Sequence, residues 1–307
     1  MSSTTLETKL DNRRTALITG CSSPTGIGAQ TALALVERGY RVFVTARKVE
    51  TMSQLEGRCE LLRLDVNDEK SRVEVVRQVS ERTGGKLDLL INNAAVNGPS
   101  PALDMSIDRF RELLETNVVS PLALIQALAP LLIKSGNETQ SNGKIRKSVI
   151  VNMGSLVVWN PAWSSAYNAS KAALESLTDT MRIEMENLNI KVVNCETGIV
   201  ATEIISHVFP IRSSTPSGYY DNFDLIQSKV LDQVKIGAKY ITTPKDFASS
   251  LVSKIDKFEP RGKIWVGSFS NLFSWIMPLL DKFGLKDKLW KSQNFISLVE
   301  KPKINKD

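Results

Sequence analysis

The stretch Thr15-Ala-Leu-Ile-Thr-Gly-Cys-Ser-Ser-Pro-Thr-Gly-Ile-Gly28 gives the architecture its starting point. Its first five residues are a short apolar run that reads as a buried strand. Ile27 to Arg38 reads as an amphipathic helix, stopped by Gly39 where helices favour glycine. Between them, Gly20, Ser22, Ser23, Gly26, Ile27 and Gly28 make a glycine-rich turn. Glycines in a strand-to-helix turn let the backbone approach a pyrophosphate, and the helix start adds amide donors and the positive end of its dipole. A dinucleotide site follows as a hypothesis. A plain tight turn has the same look, so the sequence on either side has to choose.

Outward from that turn, Arg41-Val-Phe-Val-Thr-Ala-Arg47 is a second short strand, at the distance where an acidic residue would hold the ribose of NAD. It ends instead in Ala46, Arg47 and Lys48. The missing carboxylate removes the group that would repel a 2′-phosphate, and Arg47 offers a planar fork suited to one. This favours NADP(H); a solvated Arg-Lys pair is the plainer reading. Strand and helix then keep alternating: Glu60 to Asp65, helix Glu69 to Thr83, strand Leu87 to Asn92, and a long helix from Ser106 to about Lys134. Strands follow at Ser148 to Met153, Lys191 to Cys195 and Gly262 to Gly267, the last preceded by a helix from Pro244 to Lys257. The pattern predicts an α/β fold, a doubly wound, mostly parallel sheet of seven strands with helices on both faces. Asp65 and Asn93 fall at carboxyl ends of strands, where open α/β sheets place ligands. Asn117 lies inside the long helix with Pro121 four residues on, which suits either a local break exposing a functional amide or an ordinary kink.

The stretch from Asn152 to Lys171 carries the candidate chemistry. Leu174, Leu177, Met181 and Met185 recur at helical spacing, so Tyr167 and Lys171 lie one turn apart on one face of a helix from Ser164 to about Leu188. A free phenol titrates near ~10 and is a poor acid-base catalyst at neutral pH, but a nearby cation favours its phenolate. Lys171 is expected to lower the Tyr167 pKa in this way. Ser155, delivered by the end of the fifth strand, would hold a substrate oxygen while the tyrosine exchanges its proton.

Composition bounds the remaining choices. The chain has 307 residues, 42% hydrophobic, enough for one substantial core. Cys21, Cys59 and Cys195 are scattered and odd in number, which argues for a reduced intracellular compartment. Residues 1–13 form a polar arm without the apolar core of a signal peptide or anchor. Asn137-Glu-Thr and Asn168-Ala-Ser match the glycosylation pattern by chance in such a chain. A net charge of +6, spread without aromatic interleaving, makes nucleic acid an unsuited partner. His207 is the sole histidine, so no histidine-built metal site is expected.

Taken together these motifs resemble the short-chain dehydrogenase/reductase family over about residues 14–268. The matching features are T-G-x(n)-G-x-G at Thr19 to Gly28, D-V at Asp65-Val66, N-N-A at Asn92 to Ala94, Asn117, Ser155, Y-x-x-x-K at Tyr167 to Lys171, and T-G-x-x-x-T at Thr197 to Thr202. The resemblance implies a single Rossmann-type catalytic domain, Tyr167 as proton donor, Ser155 as carbonyl-orienting group, Lys171 on the nicotinamide ribose, and Asn117 holding a relay water. It also implies cofactor contacts at Ile27, Asp65, Asn93, Val200 and Thr202. Three departures stand out. Pro24-Thr25 lengthens the glycine turn by two residues, Ala95 stands where the family's N-N-A-G has glycine, and Ser155 lies twelve residues before Tyr167, one closer than the commonest spacing. Within the family the chain is most similar to the fungal NADPH-dependent 1-acyldihydroxyacetone-phosphate reductases, through Thr-Ala-Arg47, Thr197-Gly198, Ser-Gly-Tyr219 and Lys282-Phe-Gly-Leu-Lys.

Function is thus expected to be reduction of a ketone, lipid-linked by that similarity, with a steroid, retinoid or secondary-metabolite carbonyl as the alternative substrate. A redox-silent NADP-binding sensor or scaffold is the alternative of another class. Residues 203–242, with His207, Phe209, Tyr219 and Tyr220, are expected to form a lid over an apolar pocket. In the tail, 269–307, apolar Phe269 to Leu280 precedes Lys282, Lys286, Lys288 and Lys291. That pairing suits peripheral contact with anionic lipid at endoplasmic reticulum or lipid droplet, or else packing on the protein's own core or on a second copy in a homo-oligomer.

Overall fold

The computed structural model describes residues 13–98, 100–139, 143–159, 162–202 and 241–293, together with Leu225 and Ser228. The expected lid lies almost wholly outside the described residues. Strands β1 (Thr15–Ile18), β2 (Arg41–Ala46), β3 (Glu60–Arg63), β4 (Leu89–Asn92), β5 (Ser148–Met153), β6 (Ile190–Thr197) and β7 (Lys263–Val266) form one sheet. Its order is β3-β2-β1-β4-β5-β6-β7, and every pairing is parallel. Parallel strands in one sheet put all carboxyl ends on one edge. The order reverses between β1 and β4, and such a switch point opens a crevice at that edge.

Helices cover both faces, as the near-continuous apolar strands require. On one face α1 (Ile27–Glu37) and α6 (Pro244–Ile255) pack Ala29, Leu35, Phe247 and Leu251 against Val42, Val151 and Val193. On the other, α2 (Glu69–Thr83), α4 (Ser120–Gly136) and α5 (Ser165–Glu184) pack Val75, Val79, Leu128, Leu132 and Met181 against Leu17, Phe43 and Ile150. Local sequence sets the ends. Asp68 caps α2 by accepting from Lys70 N at 3.1 Å, and Gly84 closes it in the left-handed region at φ 65°.

The long helix expected from Ser106 is three pieces: α3 (Ile107–Leu114), a π-helical turn Glu115–Val119, and α4. The Ser120 amide reaches back to Glu115 O, leaving one extra residue in the turn, and Asn117 sits in its middle. This helical run is long and apolar enough to cross a bilayer by composition, yet Leu113, Leu124, Ile125 and Leu128 are core residues. Strand β6 runs to Thr197, two residues past its expected end. Glu196, expected in a turn, is therefore inside the sheet.

After β7, Phe269 adopts φ 64° and redirects the chain into α7 (Ser270–Lys282), followed by α8 (Lys286–Gln293). Helix α7 packs on β7 and on the turn Leu156–Trp159 just past Ser155. Only Ser270 and Met277 of α7 are buried. Phe273 and Leu280 are half-buried, and several other apolar side chains face outward: Trp275 is 78% exposed, Phe283 beyond the helix end 68%, and Leu279 55%.

Candidate active site

The glycine turn leaves the end of β1 and enters α1 through Gly26, which caps the helix with no side-chain hydrogen bond to its first amides. Those amides face a neighbourhood where side chains would not fit. A Cβ on Gly28 would lie 2.6 Å from Asn93 Nδ2 and 2.8 Å from Gly20 O. Gly20 holds φ 74° against Ala94. Asn93 Nδ2 donates to Thr19 O at 2.8 Å and Gly20 O at 3.0 Å, fixing the turn from β4. Ser23 Oγ is buried within the turn and has no hydrogen-bond partner. Uncapped helix amides, an orphaned hydroxyl and a backbone that excludes side chains fit the pyrophosphate of a dinucleotide. The two-residue insertion closes neatly, with Gly26 N donating to Ser23 O at 3.0 Å.

Arg47 is exposed just past β2, on the strand next to β1. Asp65 lies past β3, where its Oδ1 accepts from Asn67 N at 3.1 Å. On the other side of the crevice, Val200 is buried and Thr202 N donates to Val200 O at 2.8 Å. The glycine turn, Arg47, Asp65, Val200 and Thr202 therefore lie along the same edge.

The chemistry is concentrated at the ends of β5 and α5. Ser155 follows Gly154, whose Cβ would meet Asn194 Oδ1 at 2.6 Å, so only glycine lets the chain pass β6 there. The Ser155 hydroxyl accepts from Val157 N at 3.4 Å and lies close enough to the Tyr167 phenol to lower its pKa. Lys171, 3% exposed, donates to Met153 O at 2.8 Å and lies 5.7 Å from the centroid of the Tyr167 ring. The serine, tyrosine and lysine predicted from spacing thus converge, and the shortened serine spacing does not prevent it.

Protonation departs from expectation. Burial pushes the Tyr167 phenol up to about 12, against the opposing pull of the Ser155 hydroxyl. The ring keeps some solvent contact, but the phenol oxygen is surrounded by protein atoms. Lys171 does not lower the phenol here, because its amine gives up its proton at lower pH than the phenol does. The amine itself is pushed down to about 8 by burial, with Glu196 pulling the other way.

Asn117 is the second surprise. Its Oδ1 accepts from Val96 N at 2.9 Å, and its Nδ2 donates to Val96 O at 2.9 Å and Ser170 Oγ at 3.0 Å. Ser170 in turn donates to Tyr167 O at 2.8 Å. Both amide hydrogens are thereby engaged, and the side chain ties the loop after β4 to the turn of α5 that carries the tyrosine. Sequence reasoning overlooked Ser170, although its place three residues after Tyr167 puts it on the same helical turn. Trp163, at φ 67° immediately before α5, carries no sequence signal for that conformation. Among the described residues no cluster of metal-ligating side chains occurs.

Residues 14–211 match the family model for short chain dehydrogenases. The chain is 32% identical over 275 residues to the short-chain dehydrogenase ptmH of Penicillium ochrochloron, covering 88% of this chain and 94% of the relative. It is also 32% identical over 276 residues to an NADPH-dependent 1-acyldihydroxyacetone phosphate reductase of Schizosaccharomyces pombe, covering 85% and 88%. Among solved structures, a short-chain dehydrogenase from Streptomyces avermitilis superposes with TM-score 0.70 at 26% identity, over 92% of this chain and 97% of that one. Sheet order, glycine turn and tyrosine-lysine helix agree with these likenesses: the chain belongs to the short-chain dehydrogenase/reductase family of nicotinamide-dependent oxidoreductases.

Proposed function

We propose that the protein is an intracellular NADPH-dependent reductase of a lipid-linked ketone of the 1-acyldihydroxyacetone phosphate class. The observation that carries the catalytic reading is the convergence of Ser155, Tyr167 and buried Lys171 at the edge that also holds the glycine turn. A nicotinamide cofactor held at the glycine turn would supply a hydride to the carbonyl carbon, and Tyr167 would give its proton to the carbonyl oxygen. A phenol pushed up to about 12 keeps that proton through the neutral range. Ser155, beside the phenol, orients the carbonyl there, and Lys171 holds positive charge behind the pair. Asn117 and Ser170 act behind the tyrosine by fixing its helical turn.

NADPH is the preferred cofactor in this reading because Arg47 ends β2 where a ribose-binding carboxylate would otherwise sit. The Schizosaccharomyces pombe relative, NADPH-dependent by name, supports both cofactor and substrate class. The outward apolar face of α7, flanked by Lys282, Lys288 and Lys291, supports peripheral attachment to anionic lipid beside the site. NADPH oxidation measured against acyl-dihydroxyacetone phosphates, steroids and simple ketones tests the substrate. Turnover confined to steroids or other non-phosphorylated carbonyls would overturn the lipid assignment. No turnover with any carbonyl, despite cofactor binding, would favour a sensor or scaffold. Cosedimentation of the full chain, but not of residues 1–268, with phosphatidylserine-containing liposomes is expected if the tail docks.

A further inference from the structure

Glu196 lies in β6, fully buried at 0% exposure, on the face of the sheet that meets α5. A buried carboxylate is costly unless partnered, and this one is partnered incompletely. Its Oε1 accepts from Asn194 Nδ2 at 2.7 Å and lies 3.4 Å from Lys263 Nζ of β7, whereas Oε2 has no hydrogen-bond partner. Lys263 is shared, since it also pairs with Glu175 of α5. The neighbouring Cys195 is in register with Met153, the residue whose carbonyl receives the Lys171 ammonium. Lys171 and Glu175 lie one turn apart on α5, so Lys263, shared between Glu175 and Glu196, seats Glu196 beneath that turn; the charged groups on the elements packed around Glu196 are Lys171 and Glu175 from α5 and Lys263 from β7.

We propose that Glu196 is a positioning residue for catalysis, a buried counter-charge that keeps the Lys171 ammonium protonated, with Lys263 holding Glu196 ionised. This rests on the reductase reading above, in which Lys171 must be cationic. Glu196 does not touch the reacting atoms; it acts through Lys171. The electrostatics agree in direction. Burial pushes Lys171 down to about 8 and Glu196 is the group that opposes it. Burial and Glu175 push Glu196 itself up to about 7, while Lys263 and Asn194 pull it back.

The signs give two readouts. A carboxylate near an ammonium favours the protonated amine, so its removal makes Lys171 lose its proton at lower pH. Glu196→Gln keeps the shape and removes the charge; the alkaline limb of kcat should then move to lower pH. The ratio of turnover at pH 8 to that at pH 6.5 should fall about fourfold for a downward shift of about one pKa unit from about 8. Glu196→Asp should restore part of that ratio. Lys263→Met should shift the limb in the same direction, because Glu196 then protonates more readily, and should add little on top of Glu196→Gln. A uniform loss of rate at every pH, or a profile superposing on wild type, would overturn the proposal.

Urea unfolding of the full chain across pH reads the same charges without turnover. A Glu196 raised from its ordinary 4.5 makes the folded state bind the extra proton, so stability falls as pH rises from about 4.5 to about 7. A Lys171 lowered from 10.5 makes stability rise with pH between about 8 and 10.5. Glu196→Gln should abolish the first slope and start the second at lower pH. Unchanged slopes would refute the counter-charge even if the wild type reduced no carbonyl, so the two failures are distinguishable.

Discussion

The glycine turn after β1 and helix α7 after β7 both present surface at the carboxyl side of the sheet, but of opposite kinds. The turn offers backbone amides, a buried lone hydroxyl at Ser23 and, one strand away, the exposed Arg47. Helix α7 offers Trp275, Leu279 and, just beyond it, Phe283 to solvent. The first surface is held by close packing, to the point where a single methyl on Gly28 would collide with Asn93 and Gly20. The second rests on buried Met277 and Ser270 and half-buried Phe273 and Leu280, and leaves its remaining apolar side chains open. A surface over-determined by its own packing implies a ligand of fixed shape; an apolar surface loosely tethered to the body suits a yielding partner such as a lipid interface.

Substitutions can break this contrast. Tyr167→Phe removes the proton and keeps the ring, so turnover should fall on the order of 10²-fold or more while NADPH affinity is retained. Wild-type turnover in that variant would remove the tyrosine from the mechanism. Replacing Ala46 by Asp and Arg47 by Ala together should erase a preference for NADPH over NADH of about 1.5–3 kcal/mol, read as roughly ten- to a hundred-fold in the ratio of kcat/KM values. Equal use of both cofactors before substitution would end that argument. Gly28→Ala should lower both stability, by about 1–3 kcal/mol in urea, and NADPH affinity. At α7, Trp275→Ala with Leu279→Ala should leave stability within about 0.5 kcal/mol of wild type yet reduce liposome binding. A large loss of stability there would mean that the face is covered by protein.

The two surfaces were unequally legible. Alternating apolar runs and the glycine spacing fixed the sheet, because a parallel strand buried on both faces and a helix capped by Gly39 leave few alternatives. Tyr167, Lys171 and Ser155 were legible because helical period and strand end dictate where they point. Lys171's effect on the phenol was not, since it depends on how far burial depresses the amine itself. The extent of β6, and with it the burial of Glu196, was hidden by a charged residue that strand patterns normally exclude. Asn117 was flagged as a break, but its engagement of Val96 and Ser170 depends on contacts 21 and 53 residues away, beyond any local rule.

The π-helical turn at Glu115–Val119 also sets a phase relationship. Each residue advances an α-helix by about 100°, so one extra residue within the turn offsets the faces of α3 and α4 by roughly that angle. The offset lets Arg109 of α3 donate to Asn97 O at 2.7 Å while Leu124, Leu128 and Leu132 of α4 remain on the sheet. Deleting a residue from this turn would yield a more regular helix by every local measure, yet it would rotate one of those faces off its target. Here an irregularity keeps two otherwise incompatible registers in step, and Asn117, at its centre, is where they are reconciled.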